Sequence, residues 1–464
     1  ASGYADQALV VQLLDADGQE LDRAELESLD EQQPRLVRFR LRPEEPGTGF
    51  YQLRVAADQE GDVFASPDRS REATLENNHR WVAVDRPQGP YRVLYVSGRP
   101  NWEFKFLRRA MQEDAEVELV ALMRIAKREP KFNFLSRSGE STNPLYRGFE
   151  PEDSESSEQY DEPVLIRLGT RDDAELQAGF PKVPEELFAY DAVIVDDLEA
   201  GFFTQDQLLL LQQFVSVRGG GFLMLGGAES LRQGEYRRTP VGEMLPVYLD
   251  RQTAPQADAG HRLGLTREGW LQPWIRLRET EPEERERLAR MPEFQVLNRT
   301  SGLKPGAQVL AIVTGDPGAI QPALAAQKFG KGQAATLLVG DLWRWGLGRA
   351  EGADDDLAKA WRQTVRWLVS DVPSRIALTA RSPVREPGAA VALAVEVRGP
   401  EYEPLDNASV EFQVTAPAGE AYRLSGQPSD SGAGSYQASF RPREPGAYRC
   451  LLYTSDAADD DRIV

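Results

Sequence analysis

The chain predicts an α/β core of the doubly wound, parallel-sheet kind, set between two β-rich flanks. Three observations predict it. Val93 to Val96 is a short apolar run of β-branched and aromatic residues, the pattern of a buried strand, and Ser97-Gly98-Arg99-Pro100 behind it is turn chemistry. Asn101 then stands as an N-cap, with Phe104, Leu107 and Met111 following on one helical face. Asp191 to Asp197 and Phe222 to Leu225 repeat the apolar strand pattern farther on. The helix between them opens on the capping box Thr204/Gln207, carries Leu208, Leu211 and Val215 on its inner face, and ends at Gly219-Gly220-Gly221. In such a sheet ligands gather beyond the C-terminal ends of the strands, here near Gly98 to Trp102.

The remaining elements follow in order. Residues 1–88 read as an Ig-like β-sandwich, from Leu9 to Leu14, Leu36 to Arg42, Tyr51 to Val55 and Trp81 to Val84. Leu21 to Leu29 alone has helical spacing. Residues 89–372 are the α/β domain, with Val117 to Met123 as its second strand and irregular insertions at about 125–185 and 231–305. The first insertion holds Glu150 to Glu162, seven acidic residues and no basic one, which reads as a solvated loop. The second holds a charged helix near Glu281 to Arg290. Val309 to Val313, then Pro322 to Phe329 and Ala334 to Val339 about Gly330-Lys331-Gly332, read as a strand and a hairpin. Leu357, Trp361, Val365 and Leu368 define the last helix.

Residues 373–449 read as a second Ig-like sandwich, with strands at Ile376 to Ala380, Val391 to Val397, Val410 to Val414 and Tyr436 to Phe440. Arg441 to Tyr448 echoes the Pro-Gly turn and Tyr of Arg42 to Tyr51. Residues 450–464, with the only Cys, Cys450, break the expected alternation and read as a non-native tail resembling translated adapter sequence.

Lys and Arg number 54 against 74 Asp and Glu, a formal charge of −20. Such a surface repels nucleic acid and anionic lipid. No apolar run reaches the roughly 18 residues of a membrane span, and no signal peptide is read. The chain starts at Ala1 without an initiator Met, which is compatible with a fragment of a longer protein. With one Cys no intrachain disulfide forms. No motif calls for a cofactor.

Val93 to Met111, VLYVSGRPNWEFKFLRRAM, resembles the opening of the glutamine amidotransferase-like domain of bacterial cell-envelope proteins, and the resemblance runs from about Glu76 to Asp371. It implies a flavodoxin-like, class I glutamine amidotransferase-like core. It also implies relatives with N-terminal membrane helices, association with von Willebrand factor A-type proteins, and a soluble part outside the cytoplasm. An active member carries a Cys nucleophile on the turn after a central strand, with a later His and Glu. Here that turn is Gly226-Gly227-Ala228-Glu229-Ser230, with Ala228 near the nucleophile position, and the later stretch is Asp341-Leu342-Trp343-Arg344-Trp345, without His. The two histidines, His79 and His261, lie outside the pattern. The expectation is a non-catalytic binding or scaffold module with protein partners.

Three alternatives stay open. Ser230 with His261 as base would revive a hydrolase or amide-transfer activity. Asp196, Asp197, Glu229 and Asp341 all follow strand ends and could gather a hard cation, although strand-end carboxylates more often cap helices. Arg99, Asn101, Trp102, Glu229, Ser230, Trp343, Arg344 and Trp345 make a basic and aromatic rim, which suits a protein interface when flat and a small-ligand sensor when closed into a pocket.

Overall fold

The computed structural model describes residues 8–26, 35–41, 43, 47–58, 63–64, 66, 68, 70, 74–86, 89–126, 164–249, 260–300, 302–315, 319–349, 352, 354–381, 388–444 and 446–454. The chain divides into two units: Pro90–Arg375 with Gly399–Glu403, and Ala1–Gly89 with Ile376–Arg398 and Pro404–Val464.

In the N-terminal stretch β1 (Leu9–Leu14), β2 (Glu20–Leu26), β3 (Gly47–Ala57) and β4 (His79–Arg86) form one antiparallel sheet, ordered β2-β1-β3-β4. Among the described residues this single sheet stands where a two-sheet sandwich was expected. The helical spacing at Leu21 to Leu29 is overruled by turn chemistry just before it. The Asp15 carboxylate accepts from the backbone N–H groups of Asp17 and Gln19, at 3.0 and 2.8 Å, and Gly18 takes a φ of +83°. The chain therefore folds straight back, and Leu26 pairs with Leu9. The strand expected at Leu36 to Arg42 is not formed over 35–41, and residue 42 lies outside the described residues. Both neighbours of β3 are already taken, by β1 and β4, and Leu36 is 77% exposed.

The α/β unit runs β5 (Tyr91–Ser97), α1 (Trp102–Gln112), β6 (Val117–Ala126), β7 (Val164–Leu168), α2 (Pro184–Leu187), β8 (Ala192–Asp196), α3 (Gln205–Gln213) and β9 (Gly221–Leu225). It continues with α4 (Pro240–Met244), β10 (Arg262–Leu265), α5 (Arg267–Leu271), α6 (Glu281–Ala289), β11 (Gln308–Thr314), β12 (Ile320–Phe329), β13 (Gly332–Leu337), α7 (Trp343–Leu347) and α8 (Asp356–Ser370). Nine strands make one mixed sheet, ordered β10-β11-β12-β13-β9-β8-β5-β6-β7. The expectation of a parallel sheet holds only for the inner five. Counted in chain order they run 2-1-3-4-5, the flavodoxin-like order. The four outer strands are antiparallel.

Two of those outer strands come from the stretches expected to be irregular insertions. β7 extends one edge, and β10 closes the other beside β11. Both are short and carry weak alternation, so their pairing comes from the edge they join. The Glu150 to Glu162 loop lies outside the described residues. Helices cover both faces. Leu107 and Met111 of α1 pack with Trp361, Val365 and Leu368 of α8 on one side, and Leu208 and Leu211 of α3 with Val241 and Met244 of α4 on the other. This double burial is why β8 and β9 are buried throughout and, apart from Asp196 at the end of β8, apolar.

The C-terminal strands are β14 (Ile376–Arg381), β15 (Val391–Val397), β16 (Val410–Thr415), β17 (Ala421–Ser425), β18 (Gln427–Pro428), β19 (Ser435–Phe440) and β20 (Arg449–Thr454). They form two sheets, β14-β15-β19-β18 and β17-β16-β20, around one core. The alternation expected to fail after Arg449 continues. Cys450, Leu452 and Thr454 pair with Val414, Phe412 and Val410, so Leu452 enters the core. The boundary read at residue 449 thus falls inside a strand. Residues 455–464 lie outside the described residues. Replacing Leu452 with Ala should cost this sandwich roughly 2–5 kcal/mol in denaturant unfolding. A change within error would mean that β20 adds nothing to the core.

Candidate functional site

Ser97, Asp196, Leu225 and Leu337 end four of the five parallel strands and stand in one row of register with Met123 of β6. The residues just beyond form the rim. The strand order reverses between β5 and β8, which places the topological switch point between Gly98 and Asp197. Asp197 holds a φ of +44°, a strained value for a residue with a side chain. Glycines make room for it. A Cβ on Gly98 would stand 2.1 Å from the Asp197 carbonyl oxygen, and one on Gly227 would stand 2.5 Å from Asp197 Oδ1. In that position Asp197 Oδ1 accepts the Glu229 N–H at 2.7 Å, and its other oxygen pairs with Arg99.

The turn after β9 exposes Ala228 at the rim, where an amidotransferase would present its nucleophile. The backbone donors on either side are engaged. Gly227 N–H donates to Asn298 Oδ1 at 2.9 Å, and Asn298 Nδ2 donates back to the Gly227 carbonyl at 2.9 Å. Glu229 N–H is held by Asp197. Ser230 is 1% exposed, below the surface of the rim. His261 precedes β10, four strands from β9, with its backbone paired to Phe294 and its Nδ1 buried without a partner. At about 4.8 Å per strand, it is far from hydrogen-bond reach of Ser230. His79 lies in β4, outside this unit.

Behind the rim sits an acidic cluster. Asn101 caps α1 through the Phe104 N–H at 2.9 Å and donates to Asp196 Oδ2 at 2.6 Å. The buried Tyr95 hydroxyl also donates to Asp196. Burial, offset in part by the Tyr95 and Asn101 hydrogen bonds, lifts the Asp196 carboxyl to about 6. Glu103, in the first turn of α1, is 9% exposed and its Oε1 has no partner. Burial first, then the charges of Asp196 and Asp341, push it up to about 8, so it carries a proton at neutral pH. Sequence reasoning missed Glu103, although its spacing to Leu107 and Met111 puts it on the buried face of α1.

It also missed Arg124, a buried cation near the end of β6. Arg124 is 4% exposed and donates both terminal nitrogens to Glu199, each at 2.8 Å. Those hydrogen bonds hold Glu199 down at about 2. Arg124 also stands 3.4 Å from Glu229 and donates to the Gly98 carbonyl at 3.3 Å.

The carboxylates expected to gather a cation are each committed to other partners. Asp341 accepts from the backbone N–H groups of Gln295 and Val296, at 2.8 and 3.2 Å, with Arg344 2.7 Å away. Among the described residues no three His, Cys, Asp or Glu side chains are grouped to hold a metal ion. The aromatic residues divide. Trp345 turns inward, with Arg287 5.1 Å over its ring. Trp102 is 43% exposed, with the Trp343 ring 6.4 Å away.

The sheet order defines a doubly wound α/β domain with antiparallel edges. Residues 169–370 match a protein family described as "Putative glutamine amidotransferase". The match takes in β8 through α8 and stops short of β5 and α1, where the resemblance in the sequence began. None of the curated proteins matches the chain. Among solved structures, an exo-β-1,4-mannosidase from Opitutaceae bacterium strain TAV5 is 13% identical, covers 61% of this chain and 36% of its own, and gives a TM-score of 0.29. A β-galactosidase from Rahnella sp. R3 is 12% identical, over 55% of this chain and 33% of its own, at 0.25. A β-galactosidase from Bacillus circulans sp. alkalophilus is 14% identical, over 54% and 33%, at 0.24. The chain spans about a third of the length of these structures. Likeness this slight carries no weight for fold or activity.

Gly98→Ala should destabilise the unit by about 1–3 kcal/mol, because the new methyl has to displace the strained Asp197 backbone. Unfolding unchanged by that substitution would contradict the packing of this turn. Glu103 gives a pH signature. Its carboxyl sits at about 8 in the fold against an ordinary 4.5, so the folded state binds the extra proton between those values. Stability from this group is fully present below the lower value and is lost as pH rises toward the upper one. Glu103→Gln, neutral throughout, should gain in Tm on the parent between about pH 5 and pH 8. A Tm difference that stays constant with pH would contradict it.

Proposed function

We propose that the α/β domain is a non-catalytic, amidotransferase-like binding module within a larger envelope protein. One observation carries the reading: the two backbone N–H groups flanking Ala228 are consumed by Asn298 and Asp197. An amide-cleaving site needs a nucleophile there and free donors for the oxyanion. This turn offers a methyl group, and its donors face internal acceptors. The inherited geometry supports a stiff platform, with the exposed Trp102 and the half-buried Trp343 beside it as anchors for a partner.

The C-terminal flank fits this role as an Ig-like module. The Tyr448 hydroxyl donates to the Glu444 carbonyl at 2.9 Å and accepts the Glu444 N–H at 3.1 Å. A tyrosine bonded back to nearby upstream backbone is a corner typical of such sandwiches. The same proposal includes anchoring in the bacterial envelope and a von Willebrand factor A-type partner. Both follow from the resemblance that opens at Val93 to Met111 and runs from about Glu76 to Asp371.

The purified chain should release no ammonia from glutamine above the buffer rate, and Ser230→Ala should change nothing. Steady release that Ser230→Ala abolishes would overturn the reading.

A further inference from the structure

A groove of about 750 Å³ runs between α1 and α7. Trp102, Phe106 and Leu347 give it an apolar wall, with Leu347 53% exposed. Gly346 sets its depth: a Cβ there would stand 2.6 Å from the Phe106 ring, so only glycine lets α7 lie this close to α1. Among the described residues, every titratable residue lining the groove is a cation: Lys105, Arg108, Arg109 and Arg349. They are thinly compensated. Asp355 alone serves two of them, 3.9 Å from Arg109 and 2.9 Å from Arg349. Lys105 lies 4.3 Å from the centre of the Trp102 ring, and among the described residues neither it nor Arg108 has a carboxylate partner. This cationic surplus belongs to a chain of formal charge −20.

We infer that this groove docks an acidic segment of a partner protein, seating an aromatic or aliphatic side chain against Trp102, Phe106 and Leu347. The inference rests on the reading of the domain as a binding module and names the chemistry of its partner. Charge complementarity selects the occupant. An acidic partner is repelled by most of the surface, but salt screens charges beyond about 8–10 Å, so the cations within reach dominate once it docks. The apolar wall asks for a side chain that a bare polyanion lacks, and the acidic surround disfavours an extended nucleic acid.

The test is fluorescence anisotropy with a labelled peptide of alternating Asp and Glu around one central Trp. Its Asn/Gln counterpart, an acidic version with Ala in place of Trp, and a single-stranded oligonucleotide serve as comparisons. The acidic Trp peptide should bind the intact chain, and affinity should fall as salt rises. The Asn/Gln and Ala peptides should each bind at least about tenfold more weakly, as should the acidic Trp peptide to Arg108→Glu, a surface change that leaves the fold alone. Equal binding by the uncharged peptide, tighter binding by the oligonucleotide, indifference to Arg108→Glu, or no binding would each overturn the inference. The two readings fail separately: ammonia release sinks the first, and absence of charge-dependent peptide binding sinks this one.

Discussion

The left-handed backbone at Asp197 is the constraint on which the rim depends. It costs about 1–3 kcal/mol and persists because its surroundings hold it there. Two strand-end turns approach so closely that neither Gly98 nor Gly227 could carry a side chain. The Asp197 carboxylate then ties the turn after β8 to the turn after β9 and, through Arg99, to the turn after β5. Three neighbouring strands are thus stitched together at the point where a doubly wound sheet normally opens a crevice.

The electrostatics follow from that closure. Asp196 and Glu103 lie beneath the turns, away from water, and burial drives both upward. Arg124 and Glu199 are held in the opposite manner, as a bidentate pair whose loss on one side would leave a buried charge at a cost of about 3–5 kcal/mol. Shifted carboxyl groups often mark catalytic centres. Here the most shifted one, Glu103, is buried, and the exposed residue of the turn after β9 is an alanine. The accessible chemistry lies to the side, where Trp102 and the cations of α1 meet α7.

Much of this was legible in the sequence. The apolar runs marked β5, β8 and β9, and the Asn101 cap and the Thr204/Gln207 box set the helix starts. What could not be read came from partners distant in sequence. β7 and β10 are strands only because an edge awaits them. Asn298 lies in a stretch without pattern, yet it occupies the backbone of Gly227. The helical period that begins at Leu21 misled for a local reason, since the turn built by Asp15 and Gly18 outweighs it. At the C-terminus, Cys450 to Thr454 looked irregular by composition, but their alternation is decided by β16.

A non-catalytic module, as proposed, requires that no side chain of the rim act as a nucleophile toward glutamine. The most direct measurement is intact-mass analysis of the chain after incubation with a diazo-ketone analogue of glutamine, which alkylates the nucleophile of an active amidotransferase. The account predicts an unchanged mass. A stoichiometric adduct mapped to Ser230, or to any residue of the rim, would contradict it.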